Sequence, residues 1–154
     1  MSNTRQRSTV HHTFTVERTL GAPPAKVFGA FADQDLKARW FVAPEGWESG
    51  PYLLDFRVGG AESSRGNRPG GPSFTFDAVY QDIVQDERVV YTYVMHMDDA
   101  IISVSQTTVE LVPEGDGTRL TLTEQGVYLD GGDTPEAREG GVAHQIDTMV
   151  ALLS

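Results

Sequence analysis

Two short clusters hold the side chains best suited to proton or metal chemistry. His96 is followed by Asp98 and Asp99, and an imidazole beside two carboxylates could bind a divalent metal or act as a general base. The same segment, Met95-His96-Met97-Asp98-Asp99, also has the composition of a strand running into a turn, and no metal site is assigned to it. Glu124 closes the run Leu120-Thr121-Leu122-Thr123-Glu124. Alternation puts its side chain on the side of Leu120 and Leu122. Burial there would raise the carboxyl pKa toward the neutral range, where the group can exchange protons; on an exposed face it would be an ordinary surface glutamate. Glu124 and His96 are therefore the catalytic candidates. His144 lies between Val142 and Ile146, on the flank of an apolar helical stripe, where it is either a satisfied boundary histidine or a residue at a cavity edge. Arg57 points opposite to Phe56 on a strand pattern and is suited to pairing with a carboxylate rather than holding a ligand.

Aromatic residues form the other candidate set. Both tryptophans fall in Lys37-Ala38-Arg39-Trp40-Phe41-Val42-Ala43-Pro44-Glu45-Gly46-Trp47. An indole is too large to bury without shaping its surroundings, and its N–H needs a partner, so Trp40, Phe41 and Trp47 mark either a core corner or a pocket wall. Phe56, Phe74, Phe76, Tyr80, Tyr91 and Tyr93 recur on strand faces. Such a face can grip a flat or apolar ligand, and the same residues also serve ordinary core packing.

Composition removes several classes of function. The chain has 154 residues, with 12 Lys and Arg against 22 Asp and Glu, and its net charge of -10 would repel a phosphate backbone or an anionic membrane. With no cysteine there are no disulfides, thiolate nucleophiles or Cys-based metal sites. No apolar run approaches the ~18 residues of a membrane span, and the first residues lack the apolar core of a signal peptide. A cytoplasmic protein that binds neither nucleic acid nor membrane is expected. The sequence has no nucleophile elbow, zinc-protease motif, Walker loop or dinucleotide fingerprint, so no cofactor is expected and an enzyme is the less favoured class.

These residues need elements to position them. Residues 1–12 read as a disordered, solvated tail preceding a single domain over 13–154. Phe14, Val16, Arg18 and Leu20 alternate as in a strand with one buried face. Pro23 to Phe31 reads as a short helix, and Asp33 caps a second one carrying Leu36 and Trp40 on one face. The period then becomes two. Strands are predicted over 54–58, 61–66, 73–83, 88–96, 101–112 and 118–127, with a loop over 65–72 and a hairpin at Asp116-Gly117. From Thr134 onward Val142, Ile146, Met149 and Leu153 define one stripe of a long terminal helix, interrupted by Gly140 and Gly141 as a kink or a close-packing point. A curved antiparallel sheet of about six to seven strands wrapped around that helix is the economical α+β arrangement. The gap between curved sheet and straight helix is a natural cavity.

The order of Phe14 to Leu20, Pro23-Pro24-Ala25-Lys26-Val27-Phe28, Arg39-Trp40-Phe41, Asp55 to Gly60, Asp86 to Tyr91, Gly117 to Leu122 and the terminal helix resembles the helix-grip, START-like (SRPBCC) superfamily. That superfamily includes plant pollen-allergen proteins and polyketide cyclases. Within it, the chain resembles the branch named after the carboxy-terminal domain of the activator of the heat-shock chaperone ATPase. The chain departs from many bacterial members at Gly140-Gly141-Val142, where they carry a tryptophan, and at Glu124, where they often carry a histidine. The resemblance implies binding of a small apolar or aromatic ligand between sheet and helix, with Trp40, Phe41, Trp47, Phe56, Phe76, Tyr80, Tyr91, Tyr93 and His144 as the ligand-binding set. A cyclase or dehydratase acting through Glu124, His96 or a tyrosine is the alternative, and a co-chaperone module is a third reading. Homodimerisation would cover an exposed aromatic patch, but nothing in the sequence fixes it.

Overall fold

A computed structural model describes residues 6–41 and 43–154. The elements run β1 (Thr9–Leu20), α1 (Pro24–Ala32), α2 (Gln34–Trp40), β2 (Glu48–Ser49), β3 (Leu53–Leu54), β4 (Ala61–Asn67), β5 (Ser73–Val84), β6 (Arg88–Met97), β7 (Ala100–Glu114), β8 (Gly117–Leu129) and α3 (Pro135–Leu153). They form one 8-stranded antiparallel sheet in the order β1-β8-β7-β6-β5-β4-β2, with β3 also pairing β4. The α+β helix-grip architecture is as expected, with additional short strands at the β4 edge.

Local chemistry explains each element. In β1, Phe14, Val16 and Leu20 are buried at alternate positions. Arg18 shares their face but reaches past it to Asp147 on α3, Nε to Oδ1 2.7 Å, its stem covering apolar surface while its charge stays wet. Pro24 opens α1, where its missing N–H costs no intrahelical bond. The Asp33 side chain accepts from the Leu36 N–H at 2.9 Å and caps α2. Thr134 caps α3 in the same way, accepting from the Ala137 N–H at 3.1 Å.

Several boundaries differ from those read off the sequence. β1 begins at Thr9, so residues 9–12 are not tail: they pair with residues 126–129 of β8 through backbone bonds that need no apolar alternation. Of the rest of that expected tail, residues 6–8 are exposed and precede the strand, and residues 1–5 lie outside the described residues. The predicted strand 54–58 stops at Leu54, because Gly59, at φ 83, and Gly60 fold residues 55–60 into a turn closed by Gly60 N–H to Arg57 O at 2.8 Å. An added Cβ on Gly60 would meet the Asp55 carbonyl oxygen at 2.0 Å. Finally, β4 runs through Asn67, which shortens the loop before β5.

The dry core lies at one end of the grip. Ile146, Met149 and Leu153, from the C-terminal half of α3, pack with Val27, Ala30 and Phe31 of α1 and with Leu120 and Leu122 of β8. No apolar residue of α3 before Ile146 is buried. The helix therefore parts from the sheet toward its N-terminus, and Gly140 and Gly141 mark neither a tight contact nor crowding, since a Cβ on either would meet nothing within 4 Å.

Candidate functional site

Where α3 parts from the sheet there is a cleft of about 940 Å³, near the upper end of the ~300–1,000 Å³ typical of small-molecule sites. Phe76, Tyr91, Tyr93 and Met95 line it from β5 and β6. Trp40, Phe41 and Trp47 line a second wall. The opposing wall on α3 carries Ala137, Gly141, Gln145 and Thr148 at helical spacing, together with Arg138, Val142, His144 and Ile146.

The aromatic wall is held by edge-to-face contacts, which place ring edges against ring faces as the quadrupoles favour. Phe41 meets Phe76 at 4.9 Å between centroids, and Trp40 meets Phe31 at 5.0 Å. The Trp40 indole N–H donates to the Ala30 carbonyl at 2.9 Å, so this residue is both core and wall. Trp47 stacks on Phe74 at 5.4 Å, and the Arg68 guanidinium lies 5.7 Å from the Trp47 ring.

Two buried polar clusters interrupt the apolar surface. On the β4 side, Lys37 of α2 extends into the core and its Nζ lies 2.7 Å from Glu62 Oε1. Tyr52 and Tyr80 donate to the same carboxylate at 2.6 and 2.5 Å. Lys37 and Glu62 are only 2% and 1% exposed, so each charge depends on the other. Burial pushes the Lys37 pKa down, against the opposing pull of Glu62. Burial and then the Glu62 charge push the Tyr52 and Tyr80 phenols far up, keeping both as neutral donors.

The second cluster lies across the sheet, on β8, β7 and β6. Register sets Glu124 opposite Thr107, and Thr107 opposite Tyr91, in one row. Thr107 and Tyr93 approach the two Glu124 oxygens at 2.9 and 2.8 Å. Arg138, from the first turns of α3, donates through Nη1 to the Tyr93 oxygen at 2.9 Å and through Nη2 to Ser103 at 2.7 Å and Asp133 at 2.8 Å. Its Nη1 is 3.8 Å from Glu124 Oε2. Burial raises the Glu124 pKa; the Tyr93 bond, Arg138 and Thr107 oppose that rise but do not cancel it. Burial acts to lower the Arg138 pKa, yet Tyr93, Asp133 and Glu124 outweigh it, and the guanidinium stays charged.

Hydrogen-bond direction follows. Because Tyr93 accepts from Arg138, its single phenolic proton is directed at Glu124 Oε2, which must act as an acceptor. Only Oε1 can gain or lose a proton without breaking that bond. The Thr107 hydroxyl suits either state, donating to the carboxylate or accepting from the acid.

The sequence candidates separate clearly in space. Trp40, Phe41, Trp47, Phe74, Phe76, Tyr91, Tyr93, Glu124 and His144 all line the cleft, His144 from an exposed position on α3. Phe56 and Tyr80 stand behind that wall: Phe56 packs between Phe28 and Tyr80, and the Tyr80 hydroxyl is committed to Glu62. His96 is away from the cleft on β6, opposite Thr75 of β5. Its neighbour Asp98 serves a turn, with φ 52 and a carboxylate accepting from the Ser73 N–H at 3.0 Å. No group of three or more His, Cys, Asp or Glu side chains arranged for a metal occurs among the described residues. Arg57 pairs with exposed Asp55 at 2.9 Å.

Sequence reasoning missed Lys37, Glu62, Tyr52 and Arg138. Arg138 did leave a signal, since it precedes Val142 by one helical step and so extends the inward stripe. Lys37 and Glu62 left none.

Residues 21–154 match the family described as "Activator of Hsp90 ATPase homolog 1-like protein". The chain belongs to that family. Among solved structures it is similar to the Mll3558 protein of Rhizobium loti, with 47% identity, TM-score 0.86, and 94% of this chain and 98% of that one covered. An uncharacterised protein from Rhizobium leguminosarum is 38% identical with TM-score 0.90, covering 96% and 97% of the two chains. Protein CV1439 of Chromobacterium violaceum is 30% identical with TM-score 0.76, covering 92% and 96%. No curated protein matches the sequence. Among the described residues no helix is long and apolar enough to cross a membrane.

Proposed function

We propose that this member of the family binds a small apolar or aromatic molecule in the cleft between the sheet and α3. The observation that carries this reading is a cleft of about 940 Å³ with an aromatic wall facing the open Gly141 position of the helix. A concave, largely aromatic surface of this size is what a small-molecule site requires. The Glu62 and Glu124 clusters hold the Tyr52 and Tyr93 hydroxyls at the cleft wall and support its shape.

Both tryptophans line the cleft, so titration with the neutral fluorophore N-phenyl-1-naphthylamine tests this directly. Expected are saturable quenching of tryptophan emission at one-to-one stoichiometry and loss of that binding in Gly141→Trp, whose indole would enter the cleft. Native mass spectrometry of the purified protein gives an independent readout of any retained molecule. A folded wild type that neither quenches nor retains a ligand would remove the binding reading.

A second reading rests on Glu124. A buried carboxyl with a raised pKa at a cleft wall is suited to proton transfer, as a cyclase or dehydratase would require. It predicts turnover of an enolisable ketone that is lost in Glu124→Gln, and proton–deuterium exchange into such a ketone read by NMR tests it.

A further inference from the structure

The guanidinium of Arg138 has one N–H left over. Its Nη1 and Nη2 atoms are taken by Tyr93, Ser105, Ser103 and Asp133, whereas Nε donates to no acceptor among the described residues. Arginine carries five N–H donors in a fixed plane, so Nε cannot be redirected without breaking the others. No buried side-chain nitrogen or oxygen among the described residues lacks a partner. Nε is therefore an accessible atom on a side chain that is only 9% exposed and lines the cleft.

Charge decides what such a donor can take. Arg138 is already balanced by Asp133 at 2.8 Å, with Glu124 a further 3.8 Å neighbour. A ligand carboxylate would gain one cation but lie beside the carboxyl groups of Asp133 and Glu124, which oppose a second negative charge. An uncharged oxygen gains the charge-assisted hydrogen bond without that repulsion. The flanking surface, Tyr93 and Phe76 at 4.8 Å between centroids, offers rings on which a flat body can lie.

We infer that the cleft selects a neutral, planar aromatic ligand bearing a ketone or similar uncharged acceptor oxygen, which receives the Nε–H of Arg138. This rests on the binding reading above, and adds to it a polar anchor and a charge preference. Arg138 is then the specificity-determining residue, and Asp133 and Glu124 exclude acids.

One ring skeleton in three forms tests the inference: fluorene, 9-fluorenone and fluorene-9-carboxylate, each displacing N-phenyl-1-naphthylamine from the full chain. 9-Fluorenone is expected to bind about tenfold more tightly than fluorene, and the carboxylate more weakly than fluorene. In Arg138→Lys, which keeps the charge but has no Nε–H in the guanidinium plane, the ratio of fluorenone to fluorene affinity should fall to about one. Should that variant fail to fold, the wild type still answers: infrared difference spectra should show the bound ketone stretch below its frequency in hexane. Equal affinities for fluorene and fluorenone with an unshifted ketone, or tighter binding of the carboxylate, would overturn the anchor while leaving the cleft a binding site. Failure of all three to displace the fluorophore would instead count against the binding reading itself.

Discussion

Replacing Lys37 by methionine is the sharpest test of how the cleft is supported. The substitution keeps the stem and removes only the ammonium, whose Nζ lies 5.8, 4.8 and 5.6 Å from the ring centroids of Trp40, Phe41 and Tyr91. Glu62 is then left 1% exposed without its cation. Removing one partner of a buried ion pair costs about 3–5 kcal/mol, because the surviving charge must stay desolvated or take up a proton. Tyr52 and Tyr80 continue to donate to the carboxylate at 2.6 and 2.5 Å, which places the expected loss at about 3 kcal/mol, the lower end of that range. For a chain of this size each kcal/mol moves the midpoint by about 2–4 °C, so thermal unfolding followed by circular dichroism should shift down by roughly 6–12 °C. The double variant Lys37→Met/Glu62→Gln removes both charges and keeps an acceptor for the tyrosines. It should recover more than half of the loss, a coupling outside the ~0.5 kcal/mol scatter expected of independent sites. A single variant within about 0.5 kcal/mol of wild type, or a double variant no better than the single, would refute the argument that these charges depend on each other.

Three further substitutions test other parts of the fold. Glu124 has a raised folded-state pKa, so between its unfolded value near 4.5 and that raised value the native state binds more protons than the unfolded one. Its contribution to stability is therefore full below the unfolded pKa and is lost as pH rises through the folded one. Glu124→Gln, whose amide reproduces the protonated pattern toward Tyr93 and Thr107, should gain stability relative to wild type across that interval; parallel pH dependences of the two midpoints would contradict this. Gly117→Ala should destabilise despite the improved intrinsic chain entropy, since the added Cβ would lie 2.0 Å from the Leu20 carbonyl oxygen, whereas Gly140→Ala, with open space and a helical backbone, should stabilise by about 0.5–1 kcal/mol. Urea unfolding separates the two, and loss of stability at Gly140 would show that the helix is not free there.

Periodicity made most of this architecture legible because it records which face of an element is dry. The stripe Val142, Ile146, Met149 and Leu153 gave α3, and three of those four are buried, all in the half that packs against α1 and β8. The same signal could not show where α3 leaves the sheet, since Gly140 and Gly141 look alike whether they admit a neighbour or leave a void. Only the absence of any atom within 4 Å of their added Cβ distinguishes the two. Polar members of the site split for a related reason. Glu124 was legible because Leu120 and Leu122 mark its face, and their alternation continues through it. Glu62 sits between Ala61 and Ser63-Ser64, with no large apolar residue to declare which side is inward. Lys37 reads as the solvent-facing member of an amphipathic helix, yet it is more deeply buried than Leu36 beside it. Each of these charges is unfavourable inside on its own sequence context and becomes tolerable only beside the other, from a different element. Pairs of this kind are set by the fold rather than by local pattern, so the cleft's aromatic wall can be read from one sequence while the ion pair that fixes Tyr52 in it and Tyr80 behind it cannot.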